Sequence, residues 1–314
     1  MRCVADLAAE VLDFVSRCPV VTRWHVRELW GSDGVSVLES LERSGKLVRP
    51  PCLAPNGEEV ESGRYFVKRG VKLPPARVPA LSLLGCAVVE AARSGLGIRL
   101  VPASWRGFAP VGVLEYEGRR CGVWVLPPWR SLASDDAGAV AAFLEKRGQE
   151  CHLWAFLVEK PWWGSARSLL LDRRVRVPLW VLPHSGSGWF LYDLLVFPQR
   201  RGWWMARVLS RFYGAEVKAE EDPSVVGGVV GVLPGGRRVV LVDGVYDVSL
   251  PSRLRLLHDP RGRARGVYVH SGDPGWGRLL LEQLGFPPWA RVLAEGCVCA
   301  FRDGNLVKLG GEAA

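Results

Sequence analysis

Apolar residues recur at Val4, Leu7, Ala8, Val11, Leu12 and Val15. This three- and four-residue spacing predicts a helix over about residues 4–17, which Pro19 ends. Thr22 is placed to cap a second helix, TRWHVRELW, closed by Gly31. Ser32 or Asp33 caps a third, GVSVLESLERSG, with Val35, Leu38 and Leu41 facing inward and Gly45 as its C-cap. KLVRP then reads as a strand, the polar loop around Asn56-Gly57 as a turn, and GRYFVKRG as the returning strand. Residues 71–79, VKLPPARVP, hold three Pro and no helical period and read as a linker.

Beyond the linker, helical and strand patterns alternate. Over residues 80–187 the run LSLLGCAVVEAARSG is an apolar helix and VGVLEYEGRRCGVWVL a hairpin turning at Glu117-Gly118. SDDAGAVAAFLEKRG is a helix whose N-terminal Asp residues suit its dipole. HLWAFLV, GSARSLLLDRR and VPLWVLP follow as strand, helix and strand. Residues 188–314 repeat the order, with a helix at RGWWMARVLSRFYG and then VGVLPGGRRVVLV. Gly112 aligns with Gly231, and Arg119-Arg120 with Arg237-Arg238. Later, KPWWGSARSLLL resembles DPGWGRLLLEQL, pairing Pro161 with Pro274, Trp163 with Trp276 and Gly164 with Gly277. Two collinear matches suggest a duplicated α/β module; chance is the competing reading in a chain rich in Val, Gly, Leu and Arg. The expected domains are therefore 1–75, 76–187 and 188–314.

The composition is that of a globular protein able to bury its own core: 314 residues, 48% hydrophobic and 23% charged. No run approaches the ~18 uncharged apolar residues of a membrane span. The opening MRCVADLAAEVLDF carries Asp6, Glu10 and Asp13, unlike a signal peptide, so a cytoplasmic protein with no membrane partner is expected. The eight Cys include no CxxC, and the five His no HxH or HExxH. They read as reduced, mostly buried thiols, with no metal or cofactor expected. The net charge of +9 favours a polyanionic partner, nucleic acid first, although it is mild for this length. It is spread unevenly: +1 over residues 1–75, +5 over 76–200 and +3 over 201–314.

Three helices followed by a two-stranded ribbon is the order of a winged helix-turn-helix, and the stretch from Leu38 to Val48 resembles the helix-to-wing junction of such domains. In that frame the DNA-binding candidates are Arg23, Arg27, Ser36, Arg43, Lys46, Arg49, Arg64, Lys68 and Arg69, joined by Arg261, Arg263 and Arg265 in DPRGRARG. Glu39 and Glu42 on the third helix oppose them, which keeps protein contact open as the role of this region. The fold class expected is α/β (α+β): the winged helix followed by two similar α-β-β-α-β modules, which resemble degenerate PD-(D/E)xK nuclease-like domains. Nucleases of that type hold a metal with carboxylates from two hairpin strands. Here CGVWVLPPW carries no carboxylate or Lys, and the second module offers only Asp243. No P-loop or GxSxG is present, so no catalytic residue is assigned. Among fourteen Trp, the strand residues Trp124, Trp154 and Trp180 read as core. The pairs Trp162-Trp163 and Trp203-Trp204 are candidates for a partner surface, because adjacent side chains point apart. Aromatics interleaved with Arg could stack on single-stranded bases.

The whole arrangement resembles the replication-relaxation proteins of plasmids and integrative elements. That resemblance implies a DNA-binding accessory of mobile-element replication, transfer or transcription. A second resemblance is to the antitoxins of abortive-infection systems, which begin with a winged helix and act as repressors. The expected function is a non-catalytic protein that binds double-stranded DNA, with a second copy of itself or a protein as further partners. An interaction scaffold and a divergent metal-dependent nuclease are the alternatives.

Overall fold

A computed structural model describes residues 4–53, 59–61, 63–105, 107–128, 130–257, 266–285, 289–294, 297–302 and 305–310. The protein is a mixed α/β chain forming two compact units, Met1–Ala166 with Val181–Val196 and Arg167–Trp180 with Phe197–Ala314. Residues 1–75 thus share the first unit with most of the segment that follows them.

The first unit opens with α1 (Val4–Arg17), β1 (Val21–Thr22) and α2 (Arg23–Arg43). The two helices read from TRWHVRELW and GVSVLESLERSG run on as one element with a kink. Gly31 sits there at φ 65° and ψ −149°, a conformation open to glycine and strained for any other residue. β2 (Leu47–Val48), β3 (Pro51–Leu53), β4 (Glu59–Glu61) and β5 (Tyr65–Lys68) follow. β1, β5 and β2 form an antiparallel three-stranded sheet with β5 in the middle, and β3 pairs with β4 as a separate hairpin. The Asn56-Gly57 turn lies outside the described residues.

The linker is short in practice, because α3 (Val78–Arg93) begins inside it. The stretch Pro75–Arg93, of mean hydropathy 1.3, is long and apolar enough to cross a bilayer, yet half of it is buried within the fold as a core helix. β6 (Arg99–Pro102), β7 (Gly112–Tyr116) and β8 (Arg119–Val125) make an antiparallel meander. The β7–β8 turn places Glu117 and Gly118 both at positive φ, the geometry that two-residue hairpin loops require. α4 (Ser134–Arg147) has Asp135 and Asp136 in its first turn and Lys146 and Arg147 in its last, matching the helix dipole at both ends. β9 (Leu153–Val158) then adds parallel to β8, with every residue buried. α5 (Lys160–Leu171), β10 (Leu179–Pro183) and α6 (Ser187–Val196) follow, and the sheet order is β10-β9-β8-β7-β6. Its core is aromatic: the Trp154 ring lies 5.3 Å from Trp124, 5.5 Å from Phe143 and 5.8 Å from Trp105.

The second unit repeats this order. α7 (Arg200–Tyr213) precedes the antiparallel strands β11 (Lys218–Glu221), β12 (Val229–Val232) and β13 (Arg238–Asp243). α8 (Leu250–Leu257) leads to β14 (Val267–Gly272), parallel to β13, and α9 (Pro274–Leu284) to β15 (Ala290–Ala294), parallel to β14. β16 (Cys297–Arg302) and β17 (Asn305–Gly310) extend the sheet to seven strands in chain order. The edge strand β11 exposes Lys218, Glu220 and Glu221, and Glu220 pairs with Arg238 at 2.6 Å. Gly112 and Gly231 both lie on the middle strand of the meander, where an added Cβ would sit 2.9 Å from Leu100 and 3.1 Å from Leu241. The first module has one more strand than the sequence pattern shows, β6, and the second has three more, β11, β16 and β17.

Candidate nucleic-acid interface

The N-terminal elements hold their shape through local chemistry. Thr22 caps α2: its Oγ1 accepts from the His25 backbone N–H, while His25 Nδ1 accepts from the Thr22 N–H, both at 3.2 Å. His25 is buried and also bonds the Ser82 backbone on α3; burial pushes its pKa from 6.5 down to about 4. Cys18 and Cys86 lie in the same region, with Cys86 Sγ 3.8 Å from His25 Nε2. Burial raises the Cys18 thiol to about 12 and the Cys86 thiol to about 11, so both are unreactive near neutrality.

Past the kink, residues 32–43 bury Gly34, Val37, Leu38 and Leu41 and expose Ser32, Asp33, Ser36, Ser40 and Arg43. Ser36 Oγ donates to the Ser32 carbonyl, and Arg43 Nε to the Glu39 carbonyl. Arg23 and Arg27 are exposed at the start of α2, Arg23 paired with Glu39 at 3.1 Å. Arg49 is half-buried: it makes two bonds to the Glu42 carboxylate, at 2.6 and 3.2 Å, and lies 5.6 Å over the Phe66 ring. Its charge is spent inside the fold, so it departs from the exposed phosphate contact expected of it. Lys46, Arg64, Lys68 and Arg69 are exposed. Lys46 and Arg69 are joined by a 3.0 Å backbone bond and Lys68 pairs across β2, which gathers three cations at one end of the small sheet. Arg261, Arg263 and Arg265 lie outside the described residues.

The aromatic candidates divide. Trp162 is exposed, whereas Trp163 is half-buried and donates its indole N–H to the Val181 carbonyl at 2.8 Å. Trp203 and Trp204 are both exposed, at 45% and 43%. Trp124 and Trp154 are core as expected, but Trp180 is only half-buried and stacks on Tyr246 at 6.5 Å. Trp24 and Trp189 are exposed too.

In the second unit Asp243 ends β13 in register with His270 of the parallel strand β14. The Asp243 side chain is 2% exposed. Its Oδ1 accepts from the Val245 N–H at 3.0 Å and lies 3.3 Å from His270 Nδ1; its Oδ2 lies 3.6 Å from Arg201 Nε. Asp247 is fully buried and pairs with Arg253 and Ser249; burial outweighs those partners and raises its pKa. Among the described residues, no three His, Cys, Asp or Glu side chains converge to hold a metal ion. Asp243 thus has a cation and an imidazole beside it, which suits a structural ion pair better than a magnesium site. In the first unit, His184 Nδ1 meets Glu159 at 3.0 Å, but His184 Nε2 and the Ser187 hydroxyl are both buried without a hydrogen bond, so they do not form a nucleophile–base pair.

Fold and geometry define a mixed α/β protein with exposed cations around its N-terminal helices and small sheet. No family model matches the chain, no curated protein matches its sequence, and no solved structure matches its fold.

Proposed function

We propose that the protein binds double-stranded DNA through residues 1–75, folded as a winged helix-turn-helix, and catalyses no reaction. The observation that carries this reading is the kinked α2 beside the β1-β5-β2 sheet, with the β3–β4 hairpin beyond it and Lys46, Lys68 and Arg69 gathered at the sheet's end. Residues 32–43 then take the recognition position, with Ser36, Ser40 and Arg43 outward and Arg27 on the preceding segment. The α/β modules are a duplicated, nuclease-like body in which, among the described residues, no set of carboxylates converges to hold a metal. This is the arrangement of an accessory to mobile-element replication, transfer or transcription.

With few unpaired cations the affinity should rest on a handful of phosphate contacts and fall steeply with salt. The triple variant Lys46→Glu, Lys68→Glu, Arg69→Glu is expected to weaken duplex binding uniformly across sequences. It should also reduce the slope of log affinity against log salt by roughly 3. Fluorescence anisotropy on a mixed-sequence duplex measures both. No binding by the parent protein at low salt, or an unchanged slope in the variant, would overturn the reading.

A protein partner is the second reading. The Arg23–Glu39 and Arg49–Glu42 pairs favour it, because they neutralise two of the candidate cations. So does a groove of about 980 Å³ on the first unit, lined by Glu10, Asp13, Phe14, Trp30, Arg93 and Leu96 among others.

A further inference from the structure

We infer that α7 is a binding platform for single-stranded nucleic acid, separate from the duplex-binding elements of the first unit. Successive helical residues turn by 100°, so positions three and four apart share a face. Arg200, Trp203, Trp204, Arg207 and Arg211 follow that spacing, and all five are exposed. The opposite face, Gly202, Met205, Ala206 and Leu209, is buried against Val229, Val239 and Leu241 of β12 and β13. The stripe therefore stands on a rigid support and runs about 16 Å along the helix.

Charge and shape both select the occupant. α7 carries four Arg and no Asp or Glu. Arg207 and Arg211 make no ion pair among the described residues, and Arg200 lies 4.3 Å over the Phe197 ring. Between these cations the two Trp residues keep 45% and 43% of their surface exposed, and Trp204 is oriented by its edge contact with His270 at 4.7 Å. Two neighbouring aromatic side chains flanked by guanidinium groups match a chain of phosphates and bases, provided the bases are unstacked. A duplex keeps its bases stacked and offers the indoles nothing to pair with. An anionic membrane is a poorer fit. A helix lying in a bilayer surface needs its aliphatic face free, and here Met205 and Leu209 are sealed in the core.

The test is anisotropy with labelled oligothymidylate and oligouridylate at low salt, using the full chain. The parent protein should bind one or both, and comparison of the two separates DNA from RNA as the source. Trp203→Ala with Trp204→Ala should weaken binding roughly tenfold or more with little change in salt slope. Arg207→Glu with Arg211→Glu should weaken it and lower the slope. All four side chains are exposed, and circular dichroism melts should match the parent. The triple variant at Lys46, Lys68 and Arg69 should retain full oligonucleotide binding, so failure of the duplex reading and failure of this one are distinguishable. The inference is overturned if the parent binds neither oligonucleotide, or if the α7 variants bind as the parent does. It is also overturned if those variants lose only binding to phosphatidylserine vesicles.

Discussion

Replacing Trp154 with alanine is expected to destabilise the first unit by about 3–5 kcal/mol, the usual range for emptying the space of a large buried aromatic. The side chain is fully buried on β9, among Trp105, Trp124 and Phe143, and its indole N–H donates to the Gly148 carbonyl at 2.9 Å. Alanine at this position removes those contacts and leaves a buried carbonyl without its donor. Neighbouring rings cannot collapse into the gap easily, because Trp124 and Phe143 are held by each other in an edge contact at 5.3 Å. The same crowding makes Gly122 on the adjacent strand intolerant of growth: a Cβ there would lie 2.2 Å from the Trp154 ring. Hydrogen exchange followed by mass spectrometry reads the effect locally. Protection should fall in the peptides covering β7, β8 and β9 while those of β12 to β14 keep theirs. Equal protection in parent and variant would contradict the account.

Acid should loosen the N-terminal elements through His25. The folded chain keeps this imidazole neutral down to about pH 4, whereas an exposed histidine takes up a proton near pH 6.5. Between those values the unfolded state holds the extra proton, so stability is complete above about pH 6.5 and declines as the pH falls towards 4. The full loss is roughly 3 kcal/mol. The structural reason is specific. Nδ1 accepts the Thr22 N–H that starts α2, so a proton placed there replaces an attraction with a clash of donors. His25→Gln keeps an acceptor at the third helical position, as an ordinary capping box does, and titrates nowhere in this range. Denaturation midpoints measured against pH should therefore fall more steeply for the parent than for the variant below pH 6.5. Parallel curves would show that His25 is not the group responsible.

Much of the architecture is legible in the sequence. Helical spacing located α1, Gly31 marked the break in α2, and Glu117-Gly118 marked the β7–β8 turn. Other elements leave no pattern in the sequence, for physical reasons. β11 reads KAEE, a charged edge strand with no apolar alternation to find. α6, SGWFLYDLLV, is apolar on nearly every side, so it shows no helical period. The pairing of Arg49 with Glu42, and of Arg23 with Glu39, depends on how the chain folds back and is invisible in composition. In the sequence Asp243 is a lone carboxylate; that His270 and Arg201 stand beside it follows only from the parallel register of β13 and β14 and the approach of α7. The α7 stripe, by contrast, is written openly in the spacing of its Arg and Trp residues.

The highly charged outer strand of the seven-stranded sheet bears on how copies of this protein can assemble. A strand at the rim of a sheet offers unmet backbone donors and acceptors to any neighbouring chain, and ionic side chains along it deter such zipping together. Lys218, Glu220 and Glu221 supply that deterrent along β11. Self-association by continuing the sheet across this rim is therefore disfavoured.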